Sequence, residues 1–230
     1  MTALVSLLLT LVIYLLSQRL YRRYGHVYLS PLLICPVILI SLLLVFQVSY
    51  ATYSEGGQFL SLMLQPATVA LAVPINKYRG LVKTYLWEIV IGITSGAAVA
   101  VITSMGFASL LGLSPQLISS LAPRSITTPI AMNISQMLGG NPAMTAVFVI
   151  ITGLVGVVII PLLFRIPWIE NPITKGMMLG AGAHGTGTAK AYELGSLEGA
   201  IASLAMTFMG IITTFIAPQL VVLCSHIFRI

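Results

Sequence analysis

The chain has 230 residues, of which 58% are hydrophobic and only 7% charged, and its mean hydropathy is +1.04. A soluble domain carries about 25% charged residues; eleven Lys and Arg, five Glu and no Asp cannot cover a water-soluble globule of this size. A soluble enzyme, a disordered chain and a disulfide scaffold are excluded, leaving an all-α polytopic membrane protein.

At about 20 residues per span, the length allows seven to eight transmembrane segments in one domain. Its first half is expected near 1–113 and its second near 114–230. The net charge of +6 reads as cytoplasmic-loop Lys and Arg rather than a nucleic-acid surface. Cys35 and Cys224 lie in apolar runs without a CxxC motif and read as small core hydrophobes. The run from Leu4 to Leu16 is followed, not preceded, by Arg19, Arg22 and Arg23, so it reads as a retained first span with its N-terminus outside.

In chain order, span 1 covers about 3–18 and span 2 about 30–48, where Ser30-Pro31 makes a helix start. A polar stretch, 49–58, leads to an apolar segment at 58–76 broken by Gln65-Pro66 and Pro74. A basic loop with Lys77, Arg79 and Lys83 precedes a Gly/Ala-rich span at 85–112. Segment 115–138 carries Pro115, Pro123 and Pro129, span 6 is continuous over 142–164, and segment 172–194 is interrupted around His184. A final span occupies about 198–222.

Charge favours a re-entrant segment 115–138. Arg165, Lys175 and Arg229 then join the six earlier basic residues inside, and Glu55 and Glu198 lie opposite. The segments 30–48, 58–76 and 85–112 then run in the opposite sense to 142–164, 172–194 and 198–222, each set with a broken middle member. This is the pattern of an inverted repeat with discontinuous helices and a midplane site.

Arg124 and Lys190 are the basic residues outside the loops. An ionisable group at membrane depth costs about 2.5–3.5 kcal/mol on insertion scales, so it marks a cavity or a partner. Arg124 opens Arg124-Ser125-Ile126-Thr127-Thr128-Pro129, where two prolines prevent a regular helix and three hydroxyls supply neutral donors. A guanidinium beside a helix N-terminus suits a carboxylate, with Asn133 one turn further on; the alternative is an arginine snorkelling to headgroups. The second constellation, 180–190, unwinds a helix around His184, with Gly185 and Gly187 for close backbone approach and Thr186 and Thr188 as hydroxyl ligands. Lys190 and Glu193 are spaced to neutralise each other. Gln65 and Thr68, at the first-half break, would close the site opposite His184.

His26, His184 and His226 are scattered, so no metal site is expected, and no nucleophile has a base and orienter, so no enzyme and no cofactor. His184 is the candidate for proton coupling, since an unperturbed imidazole titrates near pH 6.5. A structural hydrogen bond at His184, or sodium held by carbonyls and hydroxyls, are the alternatives.

The runs "LAPRSITTPIAMNISQMLGGNPAMTAVFVIITGLVG" (122–156) and "NPITKGMMLGAGAHGTGTAKAYELGSLEGAIASLAM" (171–206) resemble the LrgB/CidB family of bacterial membrane proteins, with weaker agreement at 30–39 and 64–75. The resemblance extends to a plastid glycolate/glycerate transporter and implies a bacterial cell membrane, a small LrgA/CidA-type membrane partner and a homo-oligomer. Its functional implications divide between a holin- or antiholin-like regulator of murein hydrolase activity and autolysis, and a carrier of pyruvate, glycolate or glycerate. A structural subunit stabilising a partner is a third reading. A holin has no use for paired broken helices, a buried Arg and a hydroxyl-rich turn. A secondary carrier of small monocarboxylates needs all three.

Overall fold

The computed structural model describes residues 3–26, 29–70 and 72–228, apart from the side chains of 67, 68, 72, 74 and 75. Among the described residues the chain is all-α: α1 (Ala3–Tyr24), α2 (Pro31–Val45), α3 (Tyr50–Leu62), α4 (Leu64–Ala70), α5 (Ala72–Lys77), α6 (Arg79–Thr84), α7 (Leu86–Leu110), α8 (Pro115–Leu121), α9 (Thr128–Met137), α10 (Pro142–Leu163), α11 (Pro172–Leu194) and α12 (Ser196–Phe228). By length and hydropathy α1, α7, α10 and α12 each suffice to cross a bilayer, and α2 is a shorter apolar helix. The chain is a membrane protein. The helices fall into two compact units, Met1–Val69 and Ala70–Ile230.

In the first unit α2 starts as expected, with Ser30 as N-cap and Pro31 in the first turn. The polar stretch after it is not a loop: Ser49 caps α3, which runs through Glu55 and Gly56. Gly56 explains the helix, because a side chain there would strike the α1 backbone at Ala3 and Leu7. A small residue lets α1 and α3 approach closely. Ile13, Cys35 and Leu39 form the unit's core, and the Thr10 and Tyr53 hydroxyls meet at 2.8 Å beside it.

In the second unit α12 is the central helix, with a run of buried residues from Gly199 to Ala205. Its C-terminus lies with that of α7: the Ser109 hydroxyl donates to the Phe228 carbonyl at 3.5 Å. Met177, near the start of α11, reaches Gly92, near the start of α7. α7 and α12 therefore run in the same direction, and α10 runs against both.

Segment 115–138 does not cross. It forms a hairpin, α8 and α9, that enters and leaves at the α10 N-terminal end. Ser120 near the end of α8 and Ser135 near the end of α9 both meet Thr145, one turn into α10. The Thr145 hydroxyl lies 3.0 Å from the Ser120 carbonyl and 2.6 Å from the Ser135 hydroxyl, and the Asn141 amide donates to the Ser120 hydroxyl at 2.7 Å. α9 ends with Gly139 at φ +77° and the Gly140 amide donating to the Ser135 carbonyl at 2.8 Å. This Schellman turn requires glycine.

The expectation that segment 172–194 crosses with an interruption needs revision: α11 also turns back. Gly187 lies against the carbonyl of Leu179, although eight residues of straight helix would separate them by about 12 Å. The reversal sits at one residue, His184, with φ 50° and ψ −126°. The entering arm, 172–183, and the returning arm, 185–194, both begin or end beside the start of α12, where Gly176 packs on Ile201 and Gly180 on Ala202. Glu198, read from the sequence as lying opposite Lys175, is at the same end of the unit, its carbonyl beside Gly176.

Candidate functional site

Two half-length hairpins thus enter the second unit from opposite ends, and their tips meet. The first tip, 122–127, is irregular because Pro123 lacks an amide donor and Pro129 sits in the first turn of α9. Arg124 projects from it. Its Nε donates to the Ser104 hydroxyl of α7 at 2.9 Å, and one terminal nitrogen donates to the Thr152 hydroxyl of α10 at 3.2 Å. Each hydroxyl in turn donates to its own helix, Ser104 to the Ala100 carbonyl and Thr152 to the Phe148 carbonyl, so both present lone pairs to the guanidinium.

Ser104 lies six residues before the end of α7 and Thr152 ten after the start of α10. At 1.5 Å per residue, Arg124 is roughly 9–15 Å below that end, near the middle of an apolar core about 30 Å thick. Snorkelling to a headgroup does not describe this position. No carboxylate pairs with Arg124 among the described residues. Its remaining N–H groups have no hydrogen-bond partner among the described residues.

At the second tip His184 is 3% exposed, and its ring lies close to the Ser125 backbone and to Arg124. Its Nε2 has no partner among the described residues, and neither does the Thr127 hydroxyl, buried beside the first tip. Buried polar atoms are ordinarily satisfied, so these two are candidate ligand-binding groups. A histidine at positive φ is strained by about 1–3 kcal/mol, and such strain concentrates at functional positions. The helices α9 and the returning arm of α11 both begin here, bringing two partial positive charges to the tips.

α10 holds the two tips in register. Thr152 takes Arg124, and the neighbouring Gly153 packs against Thr186 and the Ala183 carbonyl. Beside them is a cleft of about 430 Å³ lined by Arg124, Thr152, Gly156, Gly182 and aliphatic side chains of α10.

Of the residues singled out from the sequence, Arg124, Ser125, Thr127, Thr128, His184, Gly185 and Thr186 are gathered at the tips. Thr186 donates to the Ala183 carbonyl at 2.6 Å, capping the reversal rather than pointing outward. Gly187 serves packing of the hairpin arms, and the Thr188 hydroxyl contacts the Met206 sulfur at 3.8 Å. Asn133 is exposed on α9, away from the tip. Gln65 is exposed on α4 in the first unit, and the side chain of Thr68 lies outside the described residues. Lys190 and Glu193 form the expected ion pair at 2.7 Å. Ser104 and Thr152 escape sequence reading, because isolated hydroxyls within apolar helices usually bond only to their own turn.

The model of the LrgB-like family matches residues 10–223. The chain is 49% identical to the uncharacterized protein YwbG of Bacillus subtilis, covering 94% of this chain and 96% of that protein. It is 34% identical to the holin-like protein CidB of Staphylococcus aureus, with 96% of each covered. No solved structure matches.

Proposed function

The chain belongs to the LrgB-like family, and on that premise we propose that it is a secondary carrier for small monocarboxylates such as pyruvate, glycolate or glycerate. The observation that carries the reading is Arg124: a guanidinium at membrane depth, held by two hydroxyls and without a carboxylate partner among the described residues, between the tips of two opposed hairpins. A planar fork with free N–H groups accepts a carboxylate in bidentate fashion. Half-helix N-termini at the membrane midplane are a recurring means of holding anionic substrates. Ser125, Thr127 and Thr128 line the tip that carries Arg124, and His184 is the group available for proton coupling. The partner is the small LrgA/CidA-type membrane protein, and the setting is a bacterial cell membrane.

A second reading, a holin-like protein without its own substrate, is favoured by the similarity to the holin-like protein CidB. Proteoliposomes loaded with a trapped dye separate the two. The carrier reading expects saturable uptake of labelled pyruvate or glycolate with the dye retained. Replacing Arg124 by Lys should lower uptake at least tenfold, because the charge stays but the fork is lost. Dye release without saturable uptake, or full uptake in a well-folded Arg124→Lys variant, overturns the proposal.

A further inference from the structure

Arg124 is held at two points on different helices, and the two are not equivalent. Its Nε donates to Ser104 of α7 and its Nη1 to Thr152 of α10. A guanidinium can seat a carboxylate in bidentate fashion on its side edge, Nε with Nη2, or on its end edge, Nη1 with Nη2. Ser104 takes the Nε hydrogen and so closes the side edge. Thr152 takes one of the two hydrogens on Nη1, leaving one there and both on Nη2. The end edge is what remains for a carboxylate.

Neither hydroxyl sits in its helix by default. Ser95 and Thr103 of α7 bond to carbonyls of their own helix and to nothing else among the described residues, the usual arrangement for a helical hydroxyl. Ser104 makes that bond as well, to Ala100, and then accepts from Arg124. It is 5% exposed, the one hydroxyl on a buried face of α7 otherwise made of Ile, Val, Ala and Met. Thr152 follows Thr145 by seven residues, two helical turns, so the two share a face of α10. Thr145 pins the arms of the first hairpin and Thr152 its tip. The hairpin is thus fixed to α10 at base and tip, about 10 Å apart, and the guanidinium has little freedom to turn.

We propose that Ser104 and Thr152 are positioning residues of the anion site, acting through Arg124 to present its end edge to the substrate carboxylate. The assignment rests on the carrier reading for the role of Arg124. A guanidinium tethered only by its aliphatic stem would lose rotamer freedom on binding and could offer either edge. Held by two hydroxyls, it is already in the bound orientation. Without them Arg124 keeps its charge and its depth but not its angle, and the angle is what a bidentate contact needs. The loss therefore falls on substrate binding.

Uptake of labelled pyruvate into proteoliposomes, with pyruvate-induced thermal stabilisation of the full chain in nanodiscs, tests this. In Ser104→Ala and Thr152→Val the KM for pyruvate should rise about tenfold, the worth of one hydrogen bond to a charged group. The maximal rate should stay within about twofold of the parent, and the pyruvate concentration needed for stabilisation should rise with KM. Thr152→Ser keeps the hydroxyl and loses the methyl, so its KM should return to within about twofold of the parent. A role in packing predicts the reverse order, because Val fills the space of Thr and Ser does not. Should Ser104→Ala fail to fold, the Thr152 pair decides alone. Parental KM in Thr152→Val, or Thr152→Ser as impaired as Thr152→Val, overturns the assignment and leaves the carrier reading standing. A parent chain that neither binds nor takes up pyruvate or glycolate removes the carrier reading, and the assignment with it.

Discussion

Gly187 rests on the main-chain carbonyl of Leu179, eight residues before it. That one contact turns a stretch read as a crossing into a helical hairpin, and it places the His184 ring against the tip bearing Arg124. Without the reversal, the returning arm would carry Lys190 and Glu193 to the far end, and Gly176 would lose its place on Ile201.

Replacing Gly187 by Ala should therefore be severe. Its methyl collides with backbone, which cannot move aside as a side chain would, so the expected loss exceeds the usual 1–3 kcal/mol of core overpacking. Gly185, two residues earlier, faces open space, so Gly185→Ala is the matched control. Thermal melting in detergent should show a lowered Tm for Gly187→Ala and little change for Gly185→Ala.

The first hairpin is pinned by hydroxyls. Thr145, fully buried, touches Ser120, Ser135 and Asn141 at 2.6–3.1 Å. Thr145→Val keeps the shape and removes the hydroxyl, leaving buried polar atoms short of partners at about 1–3 kcal/mol. Melting should register that loss, and a variant as stable as the parent would show the network to be idle.

The opposed hairpins make a topological prediction. In a background lacking Cys35 and Cys224, cysteines at Leu111 and Met137, both exposed, should be labelled from one side of the membrane. A cysteine at Trp168, 84% exposed between α10 and α11, should be labelled from the other. Labelling of positions 111 and 137 from opposite sides would mean that α8 and α9 together cross.

For His184, backbone and ring are separable. His184→Gly relieves the strain of φ 50° and should fold at least as stably as the parent, yet lose transport. His184→Gln keeps a donor and an acceptor but cannot titrate. It should still exchange pyruvate across liposomes, but no longer accumulate it when the outside is made acid. Accumulation with the parent's pH dependence would remove His184 from coupling.

Composition alone makes this an all-α membrane protein, because so few charges leave no other solvent for the surface. Proline and glycine punctuation placed α7 and α10 within a few residues, and the start of α12, which runs six residues past its expected end. Helix starts at Ser30, Asn141 and Asn171 are likewise local matters, each a capping side chain followed by proline. Arg124 stood out for a local reason too, an ionisable group between prolines in an apolar run.

The rest depended on distance in the chain. Periodicity cannot distinguish a kinked span from a hairpin, since both read as one apolar helix with a flaw. What decided α11 was the fit of Gly176, Gly180 and Gly187 against α12 and against its own entering arm. The glycines were legible as flexibility, but they serve close packing, and the positive φ fell to His184 instead. Ser104 and Thr152 became partners of Arg124 only because α7 and α10 flank the same tip. A lone hydroxyl in an apolar helix has no signature until a neighbouring element brings a charge to it.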